Sequence, residues 1–474
     1  MKITISNLGP IREKAEIDLK PLTVLIGPNN SGKSWLAYAL GGILGNPGFA
    51  AYMNAYVKEE VQERYTNLEN AIKQLLDEGN TAIDLLQFVE DNGELYFNNV
   101  ARFAKTWMQG FMGTGKVNFE NLELYLNLTE IKELLSKRVL SISLESKLSV
   151  GSGKHKPLLT ALKEADKREI YIYSSIESVM LDEEKMPLKL PEHAIREFVF
   201  NGIFRSIHQA LYTYIQFFPT ERAFFATFPP TKMERLITKN EMAQELSRVE
   251  QKAKALPWFI GHFVETLQTL FESSLEDRKQ EAINVHAIDN YIRLAQILEQ
   301  QVLNGVVDFS TVDPDPRREI LFTTAGEVLD MPAASSMVRE LAPLVLYLRY
   351  GADPGELLII DEPEMNLHPE AQVKLIELLA MLVNAGLHVL ITTHSPYIVD
   401  HLANLIAADK CADRDVASSQ FFLKDSSAFI PQEKVAAYKV EQGKIENILD
   451  EDGILNWGTF GNVSNRIIEI YGNL

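Results

Sequence analysis

Three observations predict an α/β fold whose core is split by a mostly helical insertion. Leu357-Leu358-Ile359-Ile360 is an unbroken apolar run, the mark of a strand covered on both faces inside a parallel sheet. Asp361 and Glu362 stand where that strand runs out, at the edge from which open α/β sheets bind ligands. Far upstream, Gly27-Pro28-Asn29-Asn30-Ser31-Gly32-Lys33-Ser34 supplies the other half of a nucleotide site.

Taken in order, Met1 to Ser6 and Ala15 to Leu19 alternate as strands, a small antiparallel piece leading into a buried strand at Leu22 to Ile26. The glycine-rich loop follows at once, and Trp35 to Leu44 reads as the helix beneath it. Strand, loop and helix in that order are the context the motif requires. Ala50 to Glu90 and Leu122 to Leu140 read as helical, while Leu140 to Val150 and Glu169 to Ser175 look strand-like. Between those strands, Gly151-Ser152-Gly153-Lys154-His155-Lys156 superficially resembles a phosphate loop. It lacks a tight hydrophobic strand before it and a Ser or Thr after Lys154, so it is read as an ordinary loop.

His193 to Tyr214 is expected to be a helix and Tyr214 to Phe218 a strand. Met233 to Ser274 and Glu281 to Val306 carry helical spacing, interrupted at Pro257 and Gly261, which predicts compact helices rather than a long rod. Core character returns with the strand Glu319 to Thr323, then an apolar helix to Tyr350 that opens on Ala333-Ala334-Ser335-Ser336. After the central strand come a helix at Glu370 to Asn384 and a strand at Leu387 to Ile391 ending in Thr392-Thr393-His394-Ser395-Pro396. Asn404 to Ala407 and Ser419 to Leu423 are further strand candidates, and the tail from Ala436 is expected to be helical only in part. The expected division is 1–50, an N-terminal lobe; 51–210, a helical insertion with a small β element; 211–230, a return strand; 231–318, a helical arm or partner-docking insertion; and 319–474, a C-terminal lobe.

Composition bounds the function. The 474 residues are 46% hydrophobic and 23% charged, as in a globular protein with a large core. A net charge of -19 argues against DNA as a partner and leaves only a local basic groove as a route to it. Cys411 is the only cysteine, so no intrachain disulfide or thiolate cluster forms, which points to a reducing cytosol. The opening MKITISNLGPI has no signal-peptide pattern, and no apolar run reaches membrane-spanning length.

The chemistry follows from residue type. The glycines let backbone N–H groups curl around a β-phosphate; Lys33 reaches between β- and γ-phosphates, and the Ser34 hydroxyl ligates Mg²⁺. Asp361 suits the Mg²⁺ role and Glu362 the polarising of an attacking water. Adjacent side chains on an ideal strand point oppositely, so Glu362 must sit where the strand bends into the loop before Pro363. His394, at a strand end, can meet the γ-phosphate or the water. Gln216 is either a lining glutamine or a half-buried strand residue, and Arg222 either a phosphate or interface contact or a surface salt bridge.

With these residues in place, the sequence resembles the ABC-type ATPases that are not transporters, within the RecF/SMC-related group that includes the OLD-type and stand-alone bacterial defence ATPases. The fits are ITISNLGPI, LTVLIGPNNSGKS as Walker A, LLIIDEPEMNLHPEAQ as Walker B with its D-loop, and ITTHSPYIV as the histidine switch. The resemblance implies a split ABC-type ATPase head, with a mixed central sheet plus a small antiparallel sheet. It implies ATP held by Gly27, Asn29, Asn30, Ser31, Gly32, Lys33 and Ser34, Asp361 as Walker B, Glu362 as catalytic base and His394 as switch. Asn366, Leu367 and His368 would form the D-loop at a dimer interface. Ser335 and Ser336 would be the signature that clamps the ATP of a second subunit, although Met337 stands where relatives carry glycine.

No nuclease domain of the OLD type is expected after His394. Stand-alone relatives of this shape are often encoded beside an effector such as a nuclease or toxin. The resemblance therefore implies an ATP-closed homodimer or higher oligomer that holds or releases a separately encoded effector on sensing phage, with a phage protein as the expected trigger. A RecF-like clamp on duplex DNA and a nucleotide-gated scaffold that scarcely hydrolyses ATP are the competing expectations.

Overall fold

The computed structural model describes residues 1–149, 157–174, 191–228, 257–310, 319–456 and 469–471. They form two compact units. One comprises Met1–Thr4, Gly42–Met108 and Glu123–Tyr214; the other comprises Ile5–Gly41, Gln109–Leu122 and Ile215–Leu474.

The second unit is built on a six-stranded sheet in the order Lys444–Asn447, Val435–Glu441, Leu22–Ile26, His388–Thr393, Leu357–Asp361, Ile215–Phe218. Only Lys444–Asn447 pairs antiparallel; the other neighbours are parallel. Every residue of Leu22–Ile26 and of Leu357–Asp361 is buried, which is why both read as near-continuous apolar runs rather than as alternation. Register then places the site. Asp361 lies beside Thr392 and Thr393 beside Ile26, so three strands end level at one edge.

Helices start where side chains can cap them. His368 accepts from the Glu370 N–H ahead of Pro369–Asn384, and Ser395 from the Ile398 N–H ahead of Pro396–Asp409. Proline fills the first turn of both, where its missing N–H costs nothing. A smaller antiparallel sheet of Val306–Ser310, Glu319–Thr324 and Glu327–Asp330 completes the expected α/β class with a mixed sheet and small antiparallel sheets. The helices Trp258–Glu272, Leu275–Asn284 and His286–Leu298 are short and separate, with Pro257 just outside the first.

The first unit pairs helices with a four-stranded antiparallel sheet, ordered Asn80–Asp84, Glu169–Ser174, Leu159–Lys163, Leu144–Leu148. Its core is aromatic: Tyr52, Tyr56, Tyr65, Tyr96, Phe200 and Phe204 pack edge-on, tilted and stacked.

Several local expectations are overturned. Asn80–Asp84 and Glu123–Asn127 are strands within stretches expected to be helical. Asn404 to Ala407 is the interior of Pro396–Asp409, because three apolar residues after Asn404 carry no period of their own. At Ser419 to Leu423, the N–H groups of Phe422 and Leu423 go to the buried Glu377 carboxylate instead of to a neighbouring strand. The tail starts with a hairpin, Val435–Glu441 and Lys444–Asn447, turned by Gln442-Gly443 at φ +52° and +82°. Positive φ at both turn residues matches the twist of the flanking strands. The loop at 151–156 and residues 231–256 and 311–318 of the expected arm lie outside the described residues.

Candidate active site

Two loops meet at the level strand ends. The phosphate-loop strand delivers Gly27, whose N–H donates to the Thr393 carbonyl at 3.3 Å. A Cβ on Gly27 would collide with the Val440 carbonyl oxygen of the hairpin, so close approach requires glycine there. Gly32 at φ +107° and Asn30 at φ +63° complete the curl before the helix Lys33–Leu44. Lys33 Nζ donates to the Gly27 and Pro28 carbonyls, each at 2.9 Å. Burial holds its ammonium below the ordinary lysine value, with Glu362, Asp361 and Glu364 opposing the shift. Ser31 Oγ is buried with no hydrogen-bond partner among the described residues.

The acidic loop supplies the carboxylates. Asp361 is buried, and its Oδ1 accepts from Ser34 Oγ at 2.8 Å and from Thr392 Oγ1. Its Oδ2 accepts from Tyr38 OH at 2.9 Å. Glu362 has φ +45°, off the strand region, and its N–H donates to Thr392 Oγ1 at 3.0 Å. That bend turns its side chain toward His394, with Glu362 Oε1 3.5 Å from His394 Nδ1. Glu364 Oε1 lies 3.3 Å from the same nitrogen while accepting from Thr393 Oγ1 and the His394 N–H at 2.6 and 2.8 Å. His394 holds Glu362 below the usual carboxylate value, and Glu362 in return raises the imidazole.

A lysine and buried hydroxyls face paired carboxylates and a histidine across one sheet edge. Residues 1–399 match the family model described as AAA ATPase domain. The chain belongs to that family. No curated protein matches it in sequence. Among solved structures, it is similar to an Smc head domain with an extended coiled coil bound to the C-terminal domain of ScpA from Pyrococcus furiosus. That likeness has 11% identity over 99% of this chain and 98% of that one, with a TM-score of 0.37. An Smc head bound to the C-winged helix domain of ScpA gives 11% identity, 94% and 96% coverage and a TM-score of 0.36. The SMC head domain from Thermotoga maritima gives 10% identity, 94% and 97% coverage and a TM-score of 0.30. Scores this low transfer nothing from those proteins.

In this AAA ATPase domain, Gly27, Ser31, Gly32, Lys33, Ser34, Asp361, Glu362 and His394 converge at one edge, with Asn29 and Asn30 exposed on the loop's rim. Ser335 and Ser336 stand exposed at the start of Ser336–Tyr350, where Ser335 accepts from the Val338 N–H. Arg222 corrects its expectation. It is neither a surface salt bridge nor open to a phosphate: it is 2% exposed and turned inward onto backbone carbonyls. Gln216 is likewise buried and accepts from Thr266 Oγ1 at 3.0 Å.

Sequence reasoning missed Tyr38, Glu364 and the hydroxyls of Thr392 and Thr393. Tyr38 lies four residues after Ser34, one helical turn on, and that spacing was the available signal. Glu364 carried none, since only the fold sets it under His394. Among the described residues no group of three or more His, Cys, Asp or Glu gathers as a metal cluster. Ser34 Oγ and Asp361 Oδ1, 2.8 Å apart, are oxygen donors of the kind that would suit Mg²⁺, which is commonly held through few protein oxygens beside substrate phosphates. Among the described residues no helix is long and apolar enough to cross a membrane.

Proposed function

We propose that this chain hydrolyses ATP to ADP and phosphate with Mg²⁺ as cofactor, closing against a second copy of itself in a nucleotide-gated switch. The observation that carries the reading is the convergence of Lys33, Ser34, Asp361, Glu362 and His394 at one sheet edge. Lys33 exchanges its contacts with the Gly27 and Pro28 carbonyls for the β- and γ-phosphates, whose negative charge offsets what burial costs its ammonium. The Ser31 hydroxyl, which has no partner among the described residues, gains an acceptor in the same event. Ser34 and Asp361 are the residues that would hold Mg²⁺, which would supply charge neutralisation at the phosphates.

Glu362, kept ionised beside His394, accepts a proton from the attacking water. The water oxygen bonds to the γ-phosphorus, the bond from that phosphorus to the β–γ bridging oxygen breaks, and ADP leaves with the electron pair. The Glu362 and His394 side chains are 21% and 41% exposed in one chain. Efficient turnover requires water to be excluded, and a second copy presenting Ser335 and Ser336 does this.

Glu362→Gln tests the reading. Turnover is expected to fall by about 10²–10⁴, and ATP to trap a dimer or larger assembly by light scattering. Undiminished turnover, or monomers alone with ATP, would overturn it. The family resemblance, rather than any contact, supports the wider part: a cytoplasmic switch that controls a separately encoded nuclease or toxin effector, answering a phage trigger. The inserted segments 51–210 and 231–318 are its proposed docking surface. The intact mass of the chain co-expressed with its neighbouring genes checks this; a chain that keeps only itself or duplex DNA would remove the effector.

A further inference from the structure

We propose that Arg222 and Glu340 are positioning residues that set the backbone of Glu362 and couple it to the helix carrying Ser335 and Ser336. The proposal rests on the reading of Glu362 as catalytic base.

The Arg222 guanidinium is buried and faces three parts of the site. Nη1 donates to the Pro219 and Asp361 carbonyls at 3.0 and 2.7 Å, and Nη2 to the Glu362 carbonyl at 2.8 Å. Nε faces Glu340 Oε2 at 3.2 Å, with both side chains 2% exposed. One rigid planar fork thus grips the carbonyls on either side of the Glu362 nitrogen and α-carbon. That is where the backbone leaves the strand, at φ +45°. A glutamate holds such a conformation only when its surroundings over-determine it. The bend also separates the tasks of two adjacent carboxylates: Asp361 turns to Ser34 and Tyr38, and Glu362 to His394.

Glu340 gives the clamp its second end. It lies one turn into Ser336–Tyr350, the helix that opens with the serine pair. Its Oε1 accepts from Asn366 Nδ2 at 2.9 Å, and Asn366 is itself held at φ +60°. One buried carboxylate therefore ties the serine helix both to the guanidinium behind Glu362 and to the loop downstream of it. Burial pushes the Glu340 carboxyl up, and Arg222 opposes that shift, so neither side chain is well accommodated without the other. A shift of the serine helix when its N-terminus meets ATP on a second copy moves Glu340, and with it the carbonyls that aim the base.

Arg222→Lys keeps the charge but not the fork, so it cannot hold both carbonyls and Glu340 together. The expected result in the full-length chain is a kcat lowered about 10²-fold, with ATP affinity, followed by a fluorescent analogue, within twofold of wild type. The loss is expected to vanish in the Glu362→Gln background, because both changes then act on one step. Wild-type kcat, or a loss that adds in full to that of Glu362→Gln, overturns the proposal. So does a parallel loss of ATP affinity and melting temperature, the signature of a merely structural ion pair. If Arg222→Lys does not fold, Glu340→Gln decides by the same readouts: lower kcat at unchanged ATP affinity supports the coupling, and unchanged kcat ends it. Should Glu362→Gln itself retain full turnover, the reading of the base fails instead, which the single variant reports separately.

Discussion

The phosphate loop and the acidic loop lie side by side at the same sheet edge and are held by opposite means. Lys33 reaches carbonyls five and six residues away, and the curl needs only Gly32 and Asn30 at positive φ. The acidic loop is held from a distance. Ser34, Tyr38, Arg222, Thr392 and, through Asn366, Glu340 all grip it, and each comes from elsewhere in the chain. A locally held loop survives in a motif, whereas a remotely held loop depends on the whole sheet being in register. Substitutions in the first should therefore act on binding, and substitutions around the second on turnover.

The largest break in that comparison is expected from Lys33→Ala. It removes the counter-charge to the phosphates, so binding of an ATP analogue should be lost by titration calorimetry while the melting temperature stays close to wild type. Retained affinity would show that the acidic loop, not the phosphate loop, carries recognition. Gly27→Ala attacks the close approach of the same loop to the hairpin. Its new methyl group meets the Val440 carbonyl oxygen, an overpacking expected to cost about 1–3 kcal/mol. Thermal melting would register that cost, and an unshifted melting temperature would mean the hairpin can move away.

Legibility divides along the same line. The strands Leu22–Ile26 and Leu357–Asp361 announce themselves because a strand buried on both faces reads as a near-continuous apolar run. The glycines and Lys33 are legible because their spacing is the mechanism. The hairpin at Val435–Glu441 and Lys444–Asn447 was missed although Gln442-Gly443 marks its turn, since the short apolar run Val435-Ala436-Ala437-Tyr438 does not by itself tell strand from helix. Arg222 was singled out but misassigned: a charged residue after a strand end looks the same in sequence whether it faces solvent, phosphate or two buried carbonyls. Glu340 and Glu364 were not readable at all, because what makes them matter is a partner more than a turn away.

A smaller effect, visible chiefly in pH dependence, is expected at His394. Glu362 is held below its ordinary value by His394, so its carboxylate stays ionised into more acidic solution, as the proposed base requires. In His394→Gln that support is gone, and the acid limb of the kcat profile should move to higher pH. Stability follows the opposite sign. The His394 pKa is raised in the fold above its ordinary 6.5, so its contribution is complete below that value and is lost as pH rises through the raised one. An acid limb that does not move would show that Glu362 owes its ionisation to something else at the edge.

The finest test of the remote grip is Tyr38→Phe. Its ring stacks on Phe259 at 3.9 Å between centroids, which phenylalanine preserves. Only the hydroxyl that donates to Asp361 Oδ2 is lost. Burial holds the Tyr38 phenol well above its ordinary value, so it remains a donor throughout the working pH range. Partners that orient a metal-ligating carboxylate typically contribute 10–100-fold to metal affinity. Because Ser34 and Thr392 still grip Oδ1, the lower end applies, and the Mg²⁺ concentration for half-maximal turnover should rise about tenfold with ATP affinity in excess Mg²⁺ unchanged. A Mg²⁺ requirement that stays put would mean that the Oδ1 contacts alone orient Asp361. The grip would then be narrower than the number of distant residues around that loop implies.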